Sequence, residues 1–126
     1  MKFLDEDAME SLSFPDFDIE KVEFSHEKKI LKIFIDEAWL NINGGSLLGK
    51  GVLCFKDWAN LSISRFDPYT KNWSNMNELT IVEPLKDLCE IKFANSTVYL
   101  CGFGRQSGHW MEWKLQHPQM HAEFDS

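Results

Sequence analysis

The side chains of this 126-residue chain that can do chemistry are four histidines, three cysteines and a few closely spaced carboxylates. His117 and His121 stand at the i, i+4 spacing with which one helix face presents two imidazoles to a metal. Pro118 lies between them and breaks any helix that would use that spacing. Neither a Cys pair nor a HExxH motif accompanies them, so the sequence points to no metal and no cofactor. Gly104-Arg105-Gln106-Ser107-Gly108 sets Ser107 between glycines. A nucleophile elbow, however, joins a strand to a helix, and strand-like runs flank this pentapeptide on both sides, so its glycines read as a turn. Gly44-Gly45 and Gly49 lack the Lys and Ser/Thr order of a phosphate loop. Glu83, Asp87 and Glu90 are close in sequence, and Glu112 sits within Trp110-Met111-Glu112-Trp113. Turned into an aromatic-lined barrel, Glu112 would be placed to act as a general acid. Strand alternation gives a plainer outcome, with Trp110, Glu112 and Lys114 facing solvent and Met111, Trp113 and Leu115 entering the core. No motif converges on a reaction, so the expectation is a protein without catalytic activity. The alternative is a small-ligand-binding β-barrel, or an enzyme, using Glu112.

The elements that must position these residues are strands. The chain has ten Phe, five Trp and two Tyr, and residues of this kind fit pleated, half-buried surfaces. Leu4, Ala8, Met9 and Leu12 recur at helical spacing, which predicts one short N-terminal helix, ended by Pro15. Beyond it the period changes to two. Phe17–Phe24 and Lys29–Trp39 read as a hairpin around His26-Glu27-Lys28. Further strands are predicted at Gly51–Phe55, Leu61–Phe66, Leu79–Val82, Leu88–Ala94, Thr97–Phe103, His109–Leu115 and Met120–Phe124. Asn41–Lys50 and Asp67–Asn77 read as connections, and Asn95-Ser96 as a two-residue turn. The fold class is therefore mainly β: a single-domain antiparallel β-barrel or sandwich of about eight or nine strands with a short N-terminal helix. Residues 1–16 form an acidic N-terminal segment and residues 17–126 the β core. Alternation places Phe24, Ile33, Ile35, Leu53, Ile63, Val98, Leu100, Met111 and Trp113 inside a filled interior.

Net charge is −7, and its distribution is uneven. Residues 1–27 hold nine acids and two bases, which is −7, and the remaining residues hold eleven of each. Such asymmetry suits a basic partner, whereas a nucleic-acid binder needs a basic patch to neutralise phosphates. No apolar run approaches the roughly 20 residues that cross a membrane, and the acidic N-terminus does not read as a secretory signal. The expected location is the cytoplasm, where Cys54, Cys89 and Cys101 would remain reduced core thiols. Large aromatics in connections are the other lead. Trp58, Tyr69 and Trp73 all fall in predicted loops, where such residues either cap a core or anchor a partner. The candidate partner-binding residues are thus Asp5, Glu6, Asp7 and Glu10 for encounter, and Trp58, Tyr69 and Trp73 for anchorage.

Three stretches carry a family likeness: Glu83-Pro84-Leu85-Lys86-Asp87-Leu88-Cys89-Glu90-Ile91, Leu100-Cys101-Gly102-Phe103-Gly104-Arg105, and Gly108-His109-Trp110-Met111-Glu112-Trp113. In these the chain resembles small bacterial immunity proteins of contact-dependent and other polymorphic toxin systems. The resemblance implies a cytoplasmic protein that binds and blocks a cognate toxin, often a basic nuclease. It carries over no site residues, because each toxin–immunity pair makes its own contacts.

Overall fold

A computed structural model of the chain describes residues 2–13, 17–75 and 83–125. The elements run β1 (Lys2–Leu4), α1 (Glu6–Met9), β2 (Leu12–Ser13), β3 (Phe17–Ser25), β4 (Ile30–Ile35), β5 (Ala38–Leu40), β6 (Ser46–Leu48) and β7 (Gly51–Lys56). They continue with β8 (Asn60–Asp67), β9 (Asn72–Asn75), β10 (Asp87–Leu88), β11 (Glu90–Ala94), β12 (Thr97–Phe103), β13 (Trp110–Gln116) and β14 (Gln119–Phe124). The pairings are antiparallel. A six-stranded sheet is ordered β1-β14-β7-β4-β3-β10, a five-stranded sheet β11-β12-β13-β8-β9, and a small sheet β2-β5-β6. The arrangement is a sandwich, not a closed barrel. Eight strands have five residues or more, and they correspond to the eight predicted within the described residues. The predicted strand at Leu79–Val82 lies outside them, as does Pro15.

Alternation decides which side chains the sandwich encloses. In β13 burial strictly alternates, with Met111, Trp113 and Leu115 buried and their neighbours half-buried. Ile33, Ile35, Leu53, Ile63, Val98, Leu100, Met111 and Trp113 are buried as expected, and Phe24 packs against them, edge-on to Trp113 at 5.3 Å. A void of about 10 Å³, bounded by Val22, Leu31, Ile33, Leu85 and Trp113, is too small for a ligand. Glu112 lies on the outer side of β13, opposite Ser64 and Cys101. The alternative that placed it in an aromatic-lined interior is therefore corrected.

Three other expectations change. The N-terminal helix shrinks to one turn, because Lys2–Leu4 is taken up by pairing with Phe124–Ala122. Leu4, Met9 and Leu12 of the acidic N-terminal segment are buried in the common core. The strand expected over Lys29–Trp39 breaks at Asp36-Glu37, after which β5 leaves to pair with β2 and β6. The one expected over Leu88–Ala94 switches sheets at Cys89, with β10 on β3 and β11 on β12. The two-residue turn Asn95-Ser96 has φ of 51° and 60°, the pair of left-handed residues that a type I′ hairpin demands.

Candidate functional site

Four aromatic side chains line up across one end of the five-stranded sheet, on its outer face. Phe103 of β12 pairs with Trp110 of β13, and Phe66 of β8 pairs with Trp73 of β9. The central pair Met111–Arg65 puts Trp110 and Phe66 on adjoining strands, each one residue further along. The row is therefore Phe103–Trp110–Phe66–Trp73. Its outer pairs touch: the Phe103 and Trp110 rings are 5.2 Å apart at 81°, and Phe66 and Trp73 are 5.4 Å apart at 46°. Phe103 is 41% and Trp73 52% exposed, while Phe66 and Trp110 are half-buried. Tyr69, 89% exposed, stands at the tip of the β8–β9 turn. The Asp67 carboxylate accepts the Tyr69 N–H there at 2.9 Å, and that bond first of all holds its carboxyl below the ordinary value. One row inward, the register aligns Glu90, Cys101, Glu112, Ser64 and Asn75. The next row holds Lys92, Tyr99, Lys114 and Ser62, with the Lys114 ammonium 5.7 Å from the centre of the Tyr99 ring. Cys101 is buried, and burial, followed by the nearby Glu112 charge, pushes its thiol up to about 11. It stays protonated at neutral pH.

A buried carboxylate fixes this row from behind. Glu83 is 2% exposed. It accepts the N–H of Gln106 at 2.6 Å, the N–H of Ser107 in a short bond, the Ser107 hydroxyl at 2.9 Å and the Arg65 guanidinium at 3.3 Å. Burial alone would push its carboxyl up, but the Ser107 N–H and hydroxyl, the Gln106 N–H and Arg65 outweigh it, and the net direction is downward. Glu83 is thus ionised at neutral pH and satisfied on both oxygens. Gly104 makes room for it, since a Cβ at that position would overlap the carboxylate. The consequence reaches the front of the sheet. Arg65 precedes Phe66, and the Gly104–His109 loop joins Phe103 to Trp110, so one anion orients both halves of the row. Asp87 adds a bond from the Phe103 N–H at 2.9 Å. The three carboxylates grouped in the sequence thus part company: Glu83 ties the loop, Asp87 ties β12, and Glu90 pairs with Lys92 at 3.6 Å on the surface.

The acidic residues collect elsewhere. Asp5 is the N-cap of α1, its carboxylate accepting the Ala8 N–H at 2.9 Å. Glu6 accepts the Met120 N–H at 3.3 Å. Glu6, Asp7 and Glu10 line a cleft of about 340 Å³ together with the Asn95-Ser96 turn, His117 and Pro118, over a floor that includes Phe93, Val98 and Met120. The turn closing this cleft is at the opposite end of β12 and β13 from the aromatic row, and the seven residues of β13 span about 20 Å.

The structure therefore divides the expected site residues into three. Tyr69 and Trp73 stand at the aromatic end, and Asp5, Glu6, Asp7 and Glu10 at the acidic end. Trp58, expected as an anchor, is instead 2% exposed and stacks on Phe24 at 6.2 Å, closing the core. That burial corrects its assignment as a partner contact. His117 and His121 do not meet: His117 borders the acidic cleft, and His121 stacks on Phe3 at 5.4 Å. Among the described residues no group of three or more His, Cys, Asp or Glu could hold a metal ion, and no helix is long and apolar enough to cross a membrane. Cys54 and Cys101 are buried and Cys89 is half-buried. Sequence reading missed Phe66 and Phe103 because each ends a strand, where alternation alone does not tell an exposed residue from a core one. No protein-family model, no curated protein and no solved structure matches this chain.

Proposed function

We propose that this chain is a non-enzymatic protein-binding protein of the cytoplasm that neutralises a basic toxin domain, in the manner of an immunity protein. The observation that carries the reading is the aromatic row. Exposed Trp, Phe and Tyr side chains, tied down by ladder hydrogen bonds and a buried carboxylate, are preorganised anchors of the kind that dominate protein interfaces. Ring geometry favours a protein over one flat ligand: at 81° and 46° the paired rings form no continuous platform, and they offer edges, notches and single ring faces to separate side chains. A net charge of −7 favours a basic partner and repels phosphate backbones. The resemblance to immunity proteins supplies the toxin.

The test begins with recovery of the partner from the cytoplasm of the native cell, using the full chain as bait. The partner is expected to be basic and to be harmful when expressed without this chain. Its complex with the Phe103→Ala/Trp73→Ala variant should dissociate at least tenfold faster than the parent complex. A harmless partner, or one that the double variant holds as tightly as the parent does, overturns the reading.

A further inference from the structure

We infer that the aromatic row recognises arginine side chains, with Glu112 as their counter-charge. The inference rests on the row being a protein-binding surface and names what that surface reads. Glu112 is two residues from Trp110 on the same face of β13, with about 7 Å between the two Cα positions. It has no ion-pair partner among the described residues, whereas neighbouring Glu90 is already paired with Lys92. The surface thus offers π faces with one unpaired carboxylate, Glu112, on the same side of the sheet. An apolar partner would bury the rings well but would strip water from Glu112 without replacing it, which is costly. A lysine ammonium is strongly hydrated and meets a carboxylate at a point. A guanidinium is planar and weakly hydrated, and it stacks on an indole while its edge donates to a carboxylate. Only the guanidinium meets both halves of this surface at once.

The test compares end-blocked hexa-arginine and hexa-lysine peptides, equal in charge, by the indole N–H signals of the five tryptophans. The arginine peptide should bind about two- to fivefold more tightly per stacked guanidinium, with shifts concentrated on Trp73 and Trp110. Glu112→Gln should erase that preference while leaving the amide spectrum of the fold intact, and Glu112→Asp should retain part of it. Neutralising the acids of α1 should weaken both peptides alike and leave their ratio unchanged. Equal affinities, shifts confined to other tryptophans, or a ratio indifferent to Glu112→Gln would overturn the inference. Its failure is separable from that of the wider reading. If Trp73→Ala and Trp110→Ala weaken the native partner while the peptides bind equally, the row binds protein but does not select arginine. If neither substitution affects the partner, both proposals fall.

Discussion

The aromatic end of the sandwich and its acidic end, about 20 Å apart along β13, are held by different means and act over different ranges. The aromatic row stands on four adjacent strands and is braced from behind by Glu83, so its rings have little freedom left to lose on contact. The acidic end is a single four-residue turn of helix, capped by Asp5, with Glu6 bonded to the Met120 N–H and exposed Asp7 and Glu10 lining the cleft. Aromatic contacts act only at van der Waals range and mainly slow dissociation, whereas charges are felt over a Debye length of about 8–10 Å and mainly speed encounter. The two ends can therefore be broken separately, and each should leave its own kinetic signature.

The largest effect should come from the brace. Glu83→Ala leaves the N–H groups of Gln106 and Ser107 and the Arg65 guanidinium without their acceptor, a loss of about 3–5 kcal/mol by denaturant unfolding. Hydrogen exchange should rise in the Gly104–His109 loop and not in α1. A uniform rise would mean that the two ends are not independent. The same residue sets a pH dependence. Its folded carboxyl lies below the ordinary 4.5, so its contribution is present above that value and is lost as pH falls through the depressed folded one. Parent and Glu83→Gln should differ most near neutrality and converge in acid.

Next in size are the anchors. Trp73→Ala should speed dissociation of the native partner by about 2 kcal/mol, roughly thirtyfold, with little cost in stability because the ring is 52% exposed. Trp58→Ala should do the opposite: its ring is buried, so unfolding should become easier by about 3–5 kcal/mol. A variant at Trp58 that melts like the parent would show that this indole is not in the core.

That contrast also shows what the sequence made legible. Period-two alternation located the eight long strands and the buried side of six of them, because a strand with one wet face must alternate. The same rule gave Glu112 its outward position. It could not give cross-strand register, and the aromatic row exists only through register: Phe66, Trp73, Phe103 and Trp110 lie on four strands, up to 44 residues apart. Nor could composition distinguish Trp58 from Trp73, both indoles in predicted polar connections, although Trp73 lies on β9. What separates them is the Phe24 ring against one and solvent over the other. Glu83 was visible as one of three nearby carboxylates, but its four hydrogen-bond donors come from residues 18 to 24 positions away, and no local pattern announces them.

The smallest expected effect belongs to the acidic end, and it sharpens the comparison most. Replacing Asp5 and Asp7 with Asn and Glu6 and Glu10 with Gln removes four charges while retaining a side chain at Asp5 that can still cap the helix. Association with a basic partner should slow by about tenfold at low salt, the lower end of steering effects, and the deficit should fade as salt screens the parent as well. Dissociation should hardly change, since the anchors lie at the other end. Asp5→Ala alone behaves differently, because it removes the cap: about 1 kcal/mol of stability should go with it, with little change in association. Stopped-flow association across a salt series separates these outcomes. An on-rate that is independent of salt and equal in the neutralised variant would leave the acids of α1 with capping and solubility as their roles, and the aromatic row as the one recognition surface.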